Sequence, residues 1–186
     1  MDRRDAVKYI SILLGGTMVG ADAILTGCKT KTGNKNAFDQ DDVAYLDEIS
    51  DTLLPTTKTP GAKAAQVGQF MVLMVNDCYE DKDQKIFKEG MDKLNDLSNK
   101  KYSKSFMDAS PEQRHDLLVA LDKEATDYMK KKKPEDASHY FRMMKELTLL
   151  GYFTSKIGCT QARRYVAVPG KFEGCVPYKK GDKAWT

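Results

Sequence analysis

Residues 62–78, AKAAQVGQFMVLMVNDC, decide the fold class. Val67, Phe70, Met71, Met74, Val75 and Cys78 recur at spacings of one, three and four, so on a helix they form one continuous apolar stripe. This helix is expected to be the most buried element of the chain. A methionine-rich stripe also suits an adaptable binding surface, but core packing is its commoner use.

Working outward, helices precede and follow it. Asp39 is placed to cap a helix over 40–54, in which Val43, Leu46, Ile49 and Leu53 fall at helical spacing and Pro55 forms the stop. Phe38, before the cap, is positioned to staple onto Val43. Residues 55–61, with three threonines and two prolines, make a rigid connection. A third helix is expected over 83–99, carrying Ile86, Phe87, Met91, Leu94 and Leu97. Ser110, Pro111 and Gln113 supply the cap, first-turn proline and capping-box partner of a fourth, reaching about 132 through Leu117, Leu118, Leu121, Ala125, Tyr128 and Met129. Asp136 or Ser138 opens a fifth, with Tyr140, Phe141, Met144, Leu147, Thr148 and Leu150. Nothing between 40 and 150 alternates like a strand, so the chain reads as all-α: a small bundle of about five helices followed by an irregular C-terminal tail.

The first 28 residues have the layout of an export signal, with a charged start, an apolar middle and a small-residue site ending in Cys28. Arg3 and Arg4, followed by Ala6, Val7 and Lys8, resemble a twin-arginine signal, a route that carries folded proteins. The middle, interrupted by Asp22 and three glycines, is a poor membrane span, since a carboxylate at the centre costs roughly 2.5 to 3.5 kcal/mol. Leu25, Thr26, Gly27 and Cys28 look like a lipobox, whose cysteine is acylated. At ~0.8 kcal/mol per buried methylene, two or more chains hold a protein on a membrane. The expected organisation is a lipoprotein signal over 1–27, a tether over 28–37 and a helical domain over 38–186. The mature protein is then periplasmic and membrane-anchored.

Composition narrows the chemistry. A formal net charge of +3 is too small for a nucleic-acid binder, and the dense basic run at 130–133 falls where a helix end favours positive charge. No glycine-rich dinucleotide or flavin fingerprint and no c-type haem motif appears. The two histidines, His115 and His139, read as partly exposed helix residues without metal-ligand spacing. No catalytic residue, metal site or resident cofactor is expected.

If Cys28 is lipidated, Cys78, Cys159 and Cys175 remain in an oxidising compartment. The favoured disulfide is Cys159 with Cys175, because both lie in the irregular tail whereas Cys78 lies on a buried stripe. Closing that loop of about 16 residues stabilises by roughly 3 kcal/mol in the chain-entropy model. A bridge from the tail to Cys78, or to a partner subunit, is the rival.

Two stretches, DTLLPTTKTPGAKAAQVGQF at 51–70 and GYFTSKIGCTQARRYVAVPGKFEGC at 151–175, resemble the gluconate 2-dehydrogenase subunit 3 family. The resemblance implies a small accessory subunit of a sugar or sugar-acid dehydrogenase. Its partner would be a flavoprotein of the glucose-methanol-choline type that holds FAD and the catalytic histidine, often with a cytochrome c as electron acceptor. It also agrees with a twin-arginine signal serving both chains, while the lipobox departs from the plainest members. The other reading is an envelope lipoprotein that binds an unrelated partner.

The tail at 151–177 is too short to fold alone and too apolar to float. Tyr152, Phe153, Arg163, Arg164, Tyr165 and Pro169 are its candidate partner-facing residues, since aromatic and arginine side chains are enriched at interfaces. The alternative is that Tyr152, Phe153 and Tyr165 cap the bundle core.

Overall fold

A computed structural model describes residues 38–185; the leader with Arg3 and Arg4, the lipobox Cys28 and the tether lie outside the described residues. Five α-helices form, and no strand is present among the described residues. Helix α1 spans Gln40–Leu53. Its start is a reciprocal cap: the Asp39 carboxylate accepts from the Asp42 amide at 2.9 Å, and the Asp42 carboxylate accepts from the Asp39 amide at 3.1 Å. Leu46 and Ile49 face the core, and the helix ends at Leu54, just before Pro55. The Phe38 ring meets Phe87 edge-on, 6.2 Å between centroids.

The second helix is shorter than its sequence pattern implies. Lys63–Ala65 makes a single 3₁₀ turn, Gln66 passes through the left-handed region at φ 54°, and α2 proper runs over Val67–Cys78. The break re-aims the chain so that Gly68 lies against α1. A Cβ at Gly68 would stand 2.6 Å from the Val43 carbonyl oxygen. The Gly68 amide donates to the Asp47 carboxylate at 2.7 Å, so a side chain of α1 caps α2 in place of one of its own.

Val67, Met71 and Val75 of α2 are fully buried, and Phe70 and Met74 half-buried. Cys78 is exposed, contrary to the buried position expected for it. It is the last residue of α2, where the chain turns and Gln84 takes the carbonyls of Asn76 and Tyr79, leaving the thiol outside.

Helix α3, Asp81–Tyr102, contributes Phe87, Met91 and Leu94 to the core and closes on Ser103 at φ 54°. The connection to α4 is pinned by Phe106, fully buried, whose amide donates to Asn95 Oδ1 at 3.0 Å and whose ring lies beneath the Arg114 guanidinium. Helix α4, Pro111–Lys131, opens with the expected Ser110–Gln113 capping box. Arg114 also pairs with Glu48 of α1, which Lys63 meets at 2.8 Å. Burial alone would raise the Glu48 carboxyl, but these two cations hold it below its ordinary range.

The central element is α5, Tyr140–Thr154, not α2. It packs against the other four helices, and eight of its fifteen residues are buried. Tyr140, Phe141, Met144, Leu147, Thr148 and Tyr152 form one broad buried face, and Arg142, Glu146, Leu149 and Leu150 on the opposite side are exposed. Its one buried hydroxyl outside the aromatics, Thr148, donates back to the Met144 carbonyl at 2.8 Å.

Neither Asp136 nor Ser138 opens this helix; His139 does. Its Nδ1 accepts from the Phe141 amide at 3.2 Å, and its ring stacks on Tyr140 at 4.5 Å between centroids. The sequence reading made His139 a partly exposed helix residue, whereas its side chain is buried between Tyr140 and Tyr128, with Nε2 3.7 Å from Glu124. Burial pushes its imidazole below the ordinary value, against the raising effect of Glu124. Acting as an acceptor at Nδ1 requires the same neutral form. His115, by contrast, is exposed on α4.

Candidate partner interface

The two stretches that carry the family resemblance meet at one end of the bundle. Tyr152, one turn from the end of α5, donates its hydroxyl to the Pro60 carbonyl at 2.7 Å, tying α5 to the 55–61 connection. Beside it, Gly151 lies against Phe70: a Cβ at 151 would come within 2.6 Å of the Phe70 ring. The glycine is required here because an aromatic ring occupies the space of a side chain.

Past Thr154 the chain turns sharply. Ser155 Oγ donates to the Tyr152 carbonyl at 2.7 Å and accepts from the Gly158 amide at 3.0 Å, and a π-helical turn follows over Gly158–Ala162. The Arg163 guanidinium stands 4.5 Å over the Phe153 ring. Cys159 Sγ donates to the Phe153 carbonyl at 3.3 Å.

From Arg164 onward the chain forms a long irregular arm that returns on itself. The Arg164 amide donates to the Ala184 carbonyl at 2.8 Å in a bridge that pairs Arg164 with Trp185, and the Arg164 guanidinium lies 4.3 Å over the indole. Lys183 also bonds the Gln161 carbonyl. The base of the arm is therefore closed by the backbone bridge and a cation–aromatic contact. The expected disulfide has no part in this closure: no disulfide is formed among the described residues, and Cys175 is exposed on the arm.

The six candidate residues divide. Tyr152 is 4% exposed and belongs to the core, correcting its assignment to a partner-facing surface; its hydroxyl is already committed to Pro60. Phe153, Arg163 and Arg164 are half-buried at the base of the arm. Tyr165, 55% exposed, and Pro169 stand out on the arm itself. Beyond these, Val168, Phe172 and Tyr178 are more exposed than any other large apolar side chain described, at 82, 95 and 75%. The sequence reading named none of the three, though Phe172 and Tyr178 could have been found. The signal available was their setting: aromatic residues among glycine and lysine, past the last helix and without periodicity.

Seven of the thirteen exposed large apolar residues described lie between 165 and 185. A monomer rarely keeps such a concentration uncovered. Elsewhere the surface carries open depressions, one of them a groove of about 420 Å³ between α1 and α3 bordered by Asp41, Asp42 and Asp92 together with Tyr45, Met91 and Met107. No group of three His, Cys, Asp or Glu side chains that could hold a metal occurs among the described residues.

A small helical bundle with more than half of its exposed large apolar residues on one pinned arm has the kind of surface that a subunit covers with another chain. The chain belongs to the gluconate 2-dehydrogenase subunit 3 family, whose sequence profile matches residues 40–170. By that name it is a subunit of a dehydrogenase complex. The match spans the bundle and the first part of the arm, including both resembling stretches up to the Val168–Pro169–Gly170 turn. No curated protein and no solved structure matches the chain.

Proposed function

We propose that this chain is the non-catalytic small subunit of a periplasmic, FAD-dependent sugar or sugar-acid dehydrogenase, and that it escorts, stabilises and anchors the catalytic subunit. FAD and the reaction belong to the partner, a flavoprotein of the glucose-methanol-choline type; a cytochrome c is the natural electron acceptor in such an arrangement. The observation that carries the reading is the family membership of residues 40–170, together with the uncovered arm at one end of the bundle.

Export follows from the leader. Arg3 and Arg4 present one twin-arginine signal for both folded chains, and Cys28, once acylated, holds the assembled pair on the membrane. Changing Arg3 and Arg4 to lysine tests this. The flavoprotein should then stay in the cytoplasm with its FAD bound, whereas normal arrival in the periplasm would remove the escort role.

A further inference from the structure

The arm at 165–184 is the segment whose partner chemistry the structure defines most closely. Three observations bear on it. First, it is pinned at both ends by the Arg164–Trp185 bridge, so its ends are fixed before binding and less chain entropy is lost on docking. Second, its charge opposes that of the bundle. Residues 38–155 hold 17 basic and 22 acidic side chains, whereas the arm at 165–184 holds four basic and two acidic, with Lys171 paired to Glu173 at 2.6 Å. Third, its backbone makes few hydrogen bonds within the chain: across 165–183 those among the described residues are Lys171 to Pro169, Asp182 to Lys179, and the Lys179 amide to the Asp182 carboxylate.

We infer that this arm docks in an apolar cleft with an acidic rim on the flavin-bearing subunit of the complex, with Phe172 as its central anchor, Val168 and Tyr178 beside it, and Lys171, Lys179 and Lys180 meeting the rim. The inference rests on the proposed function and extends it by naming the surface and its complement. Large exposed aromatics entering desolvated pockets dominate interface energies, while peripheral lysines meeting carboxylates set the rate and salt dependence of association.

A basic, aromatic arm also suits an anionic membrane. The backbone decides against lipid, because unpaired amides and carbonyls find no hydrogen-bond partner in hydrocarbon but find them in a protein cleft. A second copy of this chain is the other occupant, through the groove between α1 and α3. There Asp42 is already engaged by the Asp39 amide and stands 3.5 Å from Lys88, so that rim is partly satisfied within the bundle.

The test uses the full-length lipoprotein, co-expressed with its dehydrogenase and extracted in detergent. Two variants are compared with wild type: Phe172→Ala, and the triple reversal Lys171→Glu, Lys179→Glu, Lys180→Glu. Phe172→Ala should weaken capture of the flavin-containing chain about 30-fold, with helical content and melting temperature unchanged. The triple reversal should weaken capture strongly at low salt and less at high salt. Full capture of flavin by both variants overturns the docking assignment and leaves the subunit reading standing. Absence of any flavin-containing chain with wild type overturns both. If the variants keep flavin capture but lose binding to phosphatidylglycerol vesicles, the arm is a membrane contact and the inference fails. If they keep it but lose self-association in sedimentation, the arm serves a second copy and the inference fails likewise.

Discussion

The Tyr152 hydroxyl donates to the Pro60 carbonyl at 2.7 Å across 92 positions of sequence, and with it the 55–61 connection and the end of α5 become one structural unit. Replacing Tyr152 by Phe removes only that bond. Stability should fall by ~1 kcal/mol, the usual net value of a hydrogen bond, because the Pro60 carbonyl loses its protein partner. Tyr152→Ala should cost ~3 to 5 kcal/mol as a large-to-small core change. Urea denaturation of the two variants measures both: no loss in Tyr152→Phe would show that the bond contributes nothing, and equal losses that the ring contributes nothing beyond it.

Gly68→Ala should destabilise by more than the gain that alanine ordinarily brings inside a helix. The new Cβ would meet the Val43 carbonyl oxygen at 2.6 Å, and backbone on both sides must shift. The expected loss is ~1 to 3 kcal/mol in thermal or chemical unfolding. An unchanged or raised melting temperature would show that α1 and α2 are not in close contact there.

His139 gives a pH dependence whose sign follows from its burial. The folded chain resists protonating this imidazole, while the unfolded chain takes up a proton at the ordinary value of about 6.5. Stability contributed here is therefore complete above about pH 6.5 and declines as pH falls toward the lowered folded value. Glu124 opposes the shift and Lys93 supports it, while burial pushes the neighbouring Tyr140 up to about 12, so Tyr140 stays neutral throughout. His139→Asn keeps a good capping acceptor without a titrating group. The difference in urea midpoint between pH 7.5 and 5.5 should shrink in the variant; an equal difference would assign the dependence elsewhere.

Trp185→Ala should open the base of the arm without touching the bundle, since the indole packs on Arg164 rather than in the core. Limited trypsin digestion should cut faster at Lys171 and Lys179, with the helical circular dichroism unchanged. If cleavage does not accelerate, the arm is held by something other than the Arg164–Trp185 contact.

What could be read from the sequence was what depends on neighbours in the chain. The Asp39 and Ser110 caps, the five helices and the Pro55 stop follow from local spacing and side-chain chemistry. The misreadings lie where a distant residue decides. Gln66 breaks the second helix because Gly68 must reach Asp47, twenty-one positions earlier, and no glycine or proline marks the break. His139 caps α5 although Asp136 and Ser138 are the more usual capping types, because Tyr128 and Tyr140 enclose its ring. Phe106 went unread, because the residues that hold it, Asn95 and Arg114, lie eleven and eight positions away. At the candidate interface, the resembling stretches meet at one end of the bundle, but the closure of the arm by its last residues was invisible, since Trp185 shares no local pattern with Arg164.

The most direct test of the whole account is the visible absorption spectrum of this protein purified, in detergent, from the cells that make it. The account predicts a yellow preparation, with flavin bound to a second, larger chain present in fixed ratio. A colourless preparation containing this chain alone would contradict it.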